Sequence, residues 1–437
     1  MGKELGLKEI VAMGLGGIIG GGIFAVLGVA ARLAGNAAFL SYFVAGLIAL
    51  ASGYSYSKIT AELEEEGGSF TFLEYYLSNT DIAGMVGWML IVGYIGTMAM
   101  YAYAFGSFTS GLIGMESPLA RGAISVGVIF LFVAVNLSGV EKSGSSEDIL
   151  VYGKIAVLSL FILTGIWAVV TRPSLSFFQG GLFNKGVTSP ITAIGAIFVS
   201  FEGFQLLTYE ISETKGGIPT LKKGILYSVG ISTLIYVLVS AVTTSLVSPE
   251  QIINHKETVL AFAASKVFEN SLARTVFTWL VSVAAIFSTA SAINATLFGT
   301  AKLADKIATD KKLPQIFSFR NCKGVPSRSL LIVGSLSALF TFIGTLEEIT
   351  TFASVVFIGL FGVVNTIVVA KIDLSGAMKL IPAFGVLGAF SALVLLIWHL
   401  YTTKIHMLIF VAGIFSTIIV IELLYFEREE IEDGLPG

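Results

Sequence analysis

Charged residues are scarce in this sequence: Asp, Glu, Lys and Arg make up 13% of 437 residues, and 55% of the chain is hydrophobic. An ordinary soluble domain carries about a quarter charged residues, so the composition excludes that class. No polar stretch is long enough for a separate soluble domain, and a formal net charge of −3 without a basic tail gives no reason to expect a nucleic-acid partner. We therefore expect a single integral membrane domain over residues 1–437, in contact with a lipid bilayer.

Residues typical of disulfide, metal and nucleotide chemistry are also few. The single cysteine, Cys322, excludes an internal disulfide framework. The three histidines, His255, His399 and His406, have no Cys or Asp at the spacing of a metal site. There is no Gly-Lys-Ser/Thr phosphate-binding sequence, which argues against an ATP-driven pump. We expect no metal and no cofactor, and the sequence does not predict partner proteins.

Long apolar segments are what the chain has in abundance. A transmembrane helix needs about 20 mostly apolar residues, and no segment shows the alternating polarity of a membrane barrel strand. The sequence thus predicts an all-α polytopic membrane protein with twelve transmembrane helices. Their approximate limits are 9–33, 37–61, 82–112, 121–138, 149–170, 190–211, 224–247, 272–300, 329–346, 349–370, 382–400 and 405–426.

The basic residues predict the orientation, because Lys and Arg concentrate in cytoplasmic loops. With the N-terminus inside, 17 of the 26 basic residues fall on the cytoplasmic side and 8 outside, and Lys154 lies within a span. Seven of the inside residues lie between Lys302 and Arg328. We expect a plasma-membrane protein with both termini in the cytoplasm.

Two spans carry polar or glycine-rich interruptions near their centres. The first contains GLGGIIGGGIF, with six glycines among residues 14–24, and the sixth contains SFEGF at 200–204. Glycines such as Gly16 and Gly20 also suit close helix packing, but matching interruptions five spans apart favour a transporter built from an inverted repeat. The amide ends of the half-helices would face an anion and the unwound carbonyls a cation. An α-amino acid is the simplest zwitterion with both charges on neighbouring atoms.

Three stretches in order, GGIIGGGIF, FVSFEGFQLLTYEISE and FSTASAINATLFGTAKLADKIATDKKLP, resemble those of permeases of the amino acid–polyamine–organocation family. The similarity covers essentially the whole chain and is greatest to the prokaryotic proton-coupled members. It implies a five-plus-five inverted repeat of the leucine-transporter type, with helices 1 and 6 broken at mid-membrane. Repeat one would cover about 9–170, repeat two about 190–370, and helices 11–12, at about 382–426, would lie outside the repeat.

The resemblance also implies where substrate binds. The substrate carboxylate would meet the amides of Gly21 and Gly22, and its α-ammonium the carbonyls of Ile18 and of Phe201 or Glu202. Phe201 and Phe204 would form the wall or a gate. The full set of predicted substrate-binding residues is Ile18, Gly20, Gly21, Gly22, Ser200, Phe201, Glu202, Gly203 and Phe204.

Glu202 departs from many relatives, which have an apolar or small residue at this position. A carboxylate at mid-membrane is costly and is a functional candidate by default. It could hold a cationic side chain, take part in proton transfer, or turn away and accept from a freed backbone amide. The sequence leaves all three open, with some preference for the last.

Lys154 lies in the fifth span, where a lysine costs about 2.5–3.5 kcal/mol on insertion scales. Its stem could snorkel to the cytoplasmic surface. The resemblance instead implies that its amine occupies the position of a bound cation, with the carbonyl of Gly16 and the hydroxyl of Ser288 as partners and Ser291 as a weaker one. Because burial disfavours the charged amine, protonation would act as a switch, and no sodium would be needed.

These expectations combine into one function: a secondary active transporter that imports amino acids by proton symport with alternating access. An ion-independent exchanger of the same fold is the alternative. An enzyme is not expected, because apart from Lys154 and Glu202 no polar groups converge at one depth. Specificity cannot be read from the sequence, although small or medium neutral amino acids are the expected ligands.

Overall fold

The computed structural model describes residues 5–64, 67–77, 80–115, 117–139, 144–172, 175, 177–178, 180–255 and 257–433. Within these residues the chain is helical, and strand-like pairing is confined to an isolated bridge between Leu5 and Thr214. The expected all-α class is confirmed for this part of the chain.

The α-helices of the described residues are numbered in chain order. They are α1 Leu7–Ile18, α2 Gly22–Ala34, α3 Ala38–Leu63, α4 Ser69–Leu77, α5 Thr80–Leu112, α6 Pro118–Leu137, α7 Gly144–Thr171, α8 Ser189–Ile197, α9 Gly217–Leu246, α10 Pro249–Asn254, α11 Val259–Val267, α12 Ser271–Thr309, α13 Ser327–Ile343, α14 Leu346–Lys371, α15 Leu380–Thr403 and α16 Ile405–Asp433. Short 3₁₀ helices cover Gly35–Ala37, Phe198–Phe201, Phe204–Glu210, Gln315–Ser318 and Gly376–Lys379.

Nine helical stretches among the described residues are long and apolar enough to cross a membrane. One of them, Gly22–Leu63, is 42 residues long and holds parts of the first two predicted spans. The apolar helices Ser327–Ile343 and Ile405–Val420 are shorter and coincide with predicted spans nine and twelve. Each of the twelve predicted segments thus contains helix, while the number of helices that cross the bilayer remains a prediction.

The outer surface is apolar, as lipid contact requires. Along α6, large side chains such as Leu119 and Leu131 are exposed, and along α15 Leu387 and Trp398 are exposed. An exposed apolar surface of this extent is unusual for a soluble protein. It fits a bundle whose outer side chains face lipid.

The first interruption separates α1, which ends at Ile18, from α2, which begins at Gly22. Glycine is the residue that most weakens a helix apart from proline, and three consecutive glycines, 20–22, lie here. Gly21 precedes α2 and has no side chain that could cap its first amides. Those amides therefore have no side-chain partner at the cap position.

The second interruption follows α8. A 3₁₀ turn ends at Phe201, Glu202 is extended, and Gly203 adopts a φ of +107° before the next 3₁₀ segment begins at Phe204. A residue with a side chain rarely adopts that backbone conformation, so the glycine at position 203 permits the turn.

Packing brings the two interruptions together at the centre of the bundle. Helix α3 packs along α9 and α5 along α12, while α2 contacts α8 and α1 contacts the 3₁₀ segment Phe204–Glu210. Helix α12 continues to Thr309, beyond the predicted end at residue 300. The prediction stopped where the apolar pattern stopped, but a helix can continue into water with residues such as Lys302 and Lys306.

Candidate functional site

The two interruptions touch through their backbones. A Cβ atom added to Gly203 would lie 2.7 Å from the carbonyl carbon of Gly17, and one added to Gly17 would lie 3.3 Å from the carbonyl oxygen of Gly203. Only residues without side chains allow this approach at 203. The glycines of the two segments thus serve close packing as well as unwinding.

Tyr236 of α9 links the same two segments. Its buried hydroxyl lies 2.7 Å from the Ile18 carbonyl oxygen and 3.1 Å from that of Ser200. A phenol has one hydrogen to donate, so the two carbonyls share it. Sequence reasoning missed Tyr236, because a tyrosine in an apolar span gives no signal of the partner that its hydroxyl will meet.

Ser288 of α12 donates to carbonyls freed by the end of α1. Its Oγ lies 2.9 Å from the Ile19 oxygen and 2.5 Å from the Gly20 oxygen. The last carbonyls of a helix lack partners within the helix and need other donors. Ser288 therefore supports the first interruption from the side of α12.

Lys154 of α7 approaches the same region, and its Nζ donates to the Gly16 carbonyl at 3.0 Å. The side chain is 5% exposed. This is the contact that the family resemblance implied, and it differs from a lysine whose amine snorkels to the surface. Lys154 thus contacts the last turn of α1, and Ser288 contacts the two residues that follow α1.

A cavity of about 590 Å³ adjoins the interruptions. Of the predicted site residues, Gly16, Glu202, Gly203 and Ser291 line it. Residues that the sequence did not single out complete much of its wall: Met13, Tyr94, Tyr101, Leu206, Leu207, Tyr209, Thr296, Lys302 and Lys306. The wall takes residues from α1 and none from α2, so the cavity opens on the α1 side.

The predicted carboxylate position is covered in this conformation. A Cβ added to Gly21 would lie 2.1 Å from the ring of Tyr101. One added to Gly22 would lie 2.8 Å from both the Ser200 carbonyl oxygen and the Tyr236 hydroxyl. Neither glycine lines the cavity, and Ile18, Gly20 and Ser200 are likewise absent from its wall.

The two predicted gate phenylalanines lie in aromatic clusters. The ring of Phe201 packs 5.3 Å from that of Tyr236, and Phe204 packs 5.1 Å from Phe361 and 5.5 Å from Tyr56. Both are fully buried and neither lines the cavity. Tyr94, Tyr101 and Tyr209 supply the cavity's aromatic wall instead.

Glu202 is 3% exposed and is one of the residues that line the cavity. Its Oε2 accepts a hydrogen bond from the hydroxyl of Thr97 at 3.1 Å. Acceptance from a freed backbone amide, the role that the sequence favoured, is not observed for Glu202 among the described residues. Glu202 thus borders the ligand space, and its carboxylate is bonded to Thr97 of α5.

Ion pairs connect the C-terminal end of α2 to neighbouring helices. Arg32 at the end of α2 and Lys404 between α15 and α16 both pair with Glu347 at the start of α14, the latter at 2.6 Å. Helix α2 leads away from the interruption for 13 residues, or about 20 Å at 1.5 Å per residue. The cavity wall thus includes α1 residues, while ion pairs join the far end of α2 to α14 and to the α15–α16 link.

Comparison with known proteins gives a consistent result. Residues 5–422 match the family model described as amino acid permease. An uncharacterised protein of Methanocaldococcus jannaschii is 28% identical over 97% of this chain and 95% of its own length. The branched-chain amino acid permease BcaP of Bacillus subtilis is 26% identical over 91% of this chain and 88% of its own, and the inner membrane transport protein YbaT of Escherichia coli is 28% identical over 72% of each. The chain belongs to the amino acid permease family and is a multi-pass membrane transporter rather than an enzyme.

Proposed function

We propose that this permease imports amino acids by proton symport with alternating access, and that Lys154 couples protonation to transport. The observation that carries the proposal is the 3.0 Å hydrogen bond from the buried Lys154 amine to the Gly16 carbonyl, next to the end of α1. A buried ammonium at this point does what a bound metal cation would do: it stabilises a carbonyl that the interrupted helix leaves exposed.

The architecture that we propose is the twelve-helix bundle with a five-plus-five inverted repeat. Helices α1 and α2 would form the broken first span, and α8 with the segment to Glu210 the broken sixth. In this numbering α3 and α9 are the second and seventh spans, and α5 and α12 the third and eighth. Each of these pairs packs together, which fits counterparts that lie next to a two-fold axis. Both termini would be cytoplasmic, so the cavity on the α1 side would open inward.

Substrate would bind where the two interruptions meet. The uncapped amides at the start of α2 carry the positive end of the helix dipole and suit a carboxylate near Gly21 and Gly22. The carbonyls of Ile18 and of Phe201 or Glu202 would accept from the α-ammonium. Tyr101 and Tyr236 occupy parts of these positions in this conformation, so entry of substrate requires both side chains to shift.

The coupling step follows from the chemistry of the amine. The charged form of Lys154 donates to Gly16 and holds α1 against α7, while loss of the proton weakens that bond and removes the charge. A proton can shift the balance between two access states only by binding one of them more tightly. The Lys154–Gly16 contact supplies such a difference if α1 moves during transport.

Uptake into vesicles of the purified protein tests the proposal. We expect wild type to accumulate alanine when the outside is acidic, and Lys154→Ala to lose acid-driven accumulation while still binding alanine in a thermal-shift assay. Lys223→Ala, at an exposed lysine, is the matched control and should behave as wild type. A wild-type pH profile in Lys154→Ala would contradict the coupling role. Exchange without any dependence on pH in wild type would instead favour the ion-independent exchanger.

A further inference from the structure

Glu202 is a buried acid with little to compensate a negative charge. Its one hydrogen-bond partner among the described residues is Thr97, and no Lys, Arg or His in that part of the chain forms an ion pair with it. Buried charges in proteins are normally paired, because an uncompensated one is costly. The missing counter-charge therefore has to come from a ligand or from a proton.

Thr97 satisfies only a small part of the carboxylate. A threonine hydroxyl has one hydrogen, and the Thr97 Oγ1 also lies 3.2 Å from the Gly93 carbonyl oxygen. An ionised carboxylate can accept about four hydrogen bonds. Since Glu202 lines the cavity, the rest of its accepting capacity is available to a molecule bound there.

The neighbouring wall suits a cation. Tyr94 and Tyr101 line the cavity beside Glu202, and aromatic rings attract ammonium and guanidinium groups. The hydroxyl of Tyr94 accepts from the Gln205 amide at 2.7 Å, which leaves its own hydrogen to donate. Lys302 and Lys306, the lysines that line the cavity, lie on α12 beyond Ser291, and Lys302 stacks on the Phe298 ring.

We propose that Glu202 is a specificity-determining residue that binds the positively charged end of a substrate side chain. The preferred substrates are then basic amino acids with an ammonium or guanidinium group, rather than the small neutral ones expected from the sequence. This inference rests on the proposed function, because it assumes that the α-carboxylate and α-ammonium bind at the two interruptions. A cavity of about 590 Å³ lies within the usual range for small-molecule sites and accommodates an arginine-sized ligand.

Matched pairs of ligands test the proposal. Arginine and citrulline differ mainly in the charge of the terminal group, and norleucine lacks the terminal ammonium of lysine. In thermal-shift titrations of the purified protein we expect arginine to bind at least about tenfold more tightly than citrulline, as for a hydrogen bond to a charged group. Glu202→Gln should lose that preference and bind arginine and citrulline with similar affinities. Glu250→Gln, at an exposed glutamate, is the control and should keep the preference.

The outcomes separate this inference from the proposed function. If wild type binds citrulline as tightly as arginine, or if Glu202→Gln keeps the preference, the assignment of Glu202 is wrong while amino acid binding stands. An equal loss of affinity for all four ligands in a folded Glu202→Gln protein would indicate that the carboxylate binds the α-ammonium instead of the side chain. That result would also overturn the assignment. If no amino acid stabilises wild type, the proposed function fails. Should Glu202→Gln not fold, competition in wild type decides: lysine, but not norleucine, should inhibit arginine uptake.

Discussion

Gly203→Ala is the most direct test of the backbone contact between the two interruptions. The substitution adds a methyl group at a residue whose φ is +107°. It also places that group 2.7 Å from the Gly17 carbonyl carbon and 2.9 Å from its oxygen. Because both neighbouring atoms belong to backbone, no flexible side chain can move aside, and α1 itself has to shift.

Two costs contribute to the expected effect. A non-glycine residue in a sparsely populated backbone region costs roughly 1–3 kcal/mol, and overpacking a tight contact typically costs about 1–3 kcal/mol more. The sum, about 2–6 kcal/mol, destabilises every conformation in which the two segments touch as they do here. We therefore expect a lower melting temperature and at least about a tenfold loss of uptake, since about 1.4 kcal/mol changes an equilibrium tenfold.

The assay is thermal unfolding in detergent together with uptake into vesicles. Gly230→Ala is the matched control, because that glycine lies within α9 and an added Cβ meets nothing within 4 Å. Alanine favours a helix over glycine by about 1 kcal/mol, so the control should be neutral or slightly stabilised. Equal melting temperatures and equal uptake for the two variants would refute the contact as the reason for glycine at 203.

Three further substitutions test other contacts of the site and its surroundings. Tyr236→Phe removes the donor shared by two buried carbonyls, so its unfolding free energy should fall by about 1–3 kcal/mol; Tyr227→Phe on the exposed face of the same helix should leave thermal unfolding unchanged. Ser288→Ala removes the hydroxyl that donates to the carbonyls of Ile19 and Gly20, so we expect a lower melting temperature. Ser288→Thr should largely restore the melting temperature. An unaltered melting temperature in Ser288→Ala would exclude the support role. Asp305→Asn breaks the ion pair with Arg320, which lies 2.6 Å away and raises the pKa of that guanidinium. Because the Arg320 side chain is 56% exposed but that of Asp305 is only 7% exposed, salt should screen this pair only in part. We expect a lower melting temperature for Asp305→Asn, with a difference from wild type that high salt reduces but does not remove, and an unchanged melting temperature at low salt would contradict a stabilising pair.

The sequence by itself determined the membrane class and the helical segments. Low charge and long apolar runs leave few alternatives, because a chain in lipid must satisfy its backbone hydrogen bonds within helices or closed barrels. The glycines at 20–22 and at 203 also marked the points where regular helix gives way. The prediction of the Lys154–Gly16 contact came from the family resemblance. No local sequence pattern could predict it, because 138 residues separate the two positions.

The tertiary structure alone decided which side chains meet at the interruptions. Phe201 and Phe204 were expected to face substrate, yet they pack in aromatic clusters, whereas Tyr94, Tyr101 and Glu202 line the cavity. Periodicity predicts the direction of a side chain only in a regular helix or strand, and these segments are irregular. Tyr236 and Thr97 lie on spans whose apolar pattern does not indicate which face meets another helix. Their partners depend on how the helices pack in three dimensions.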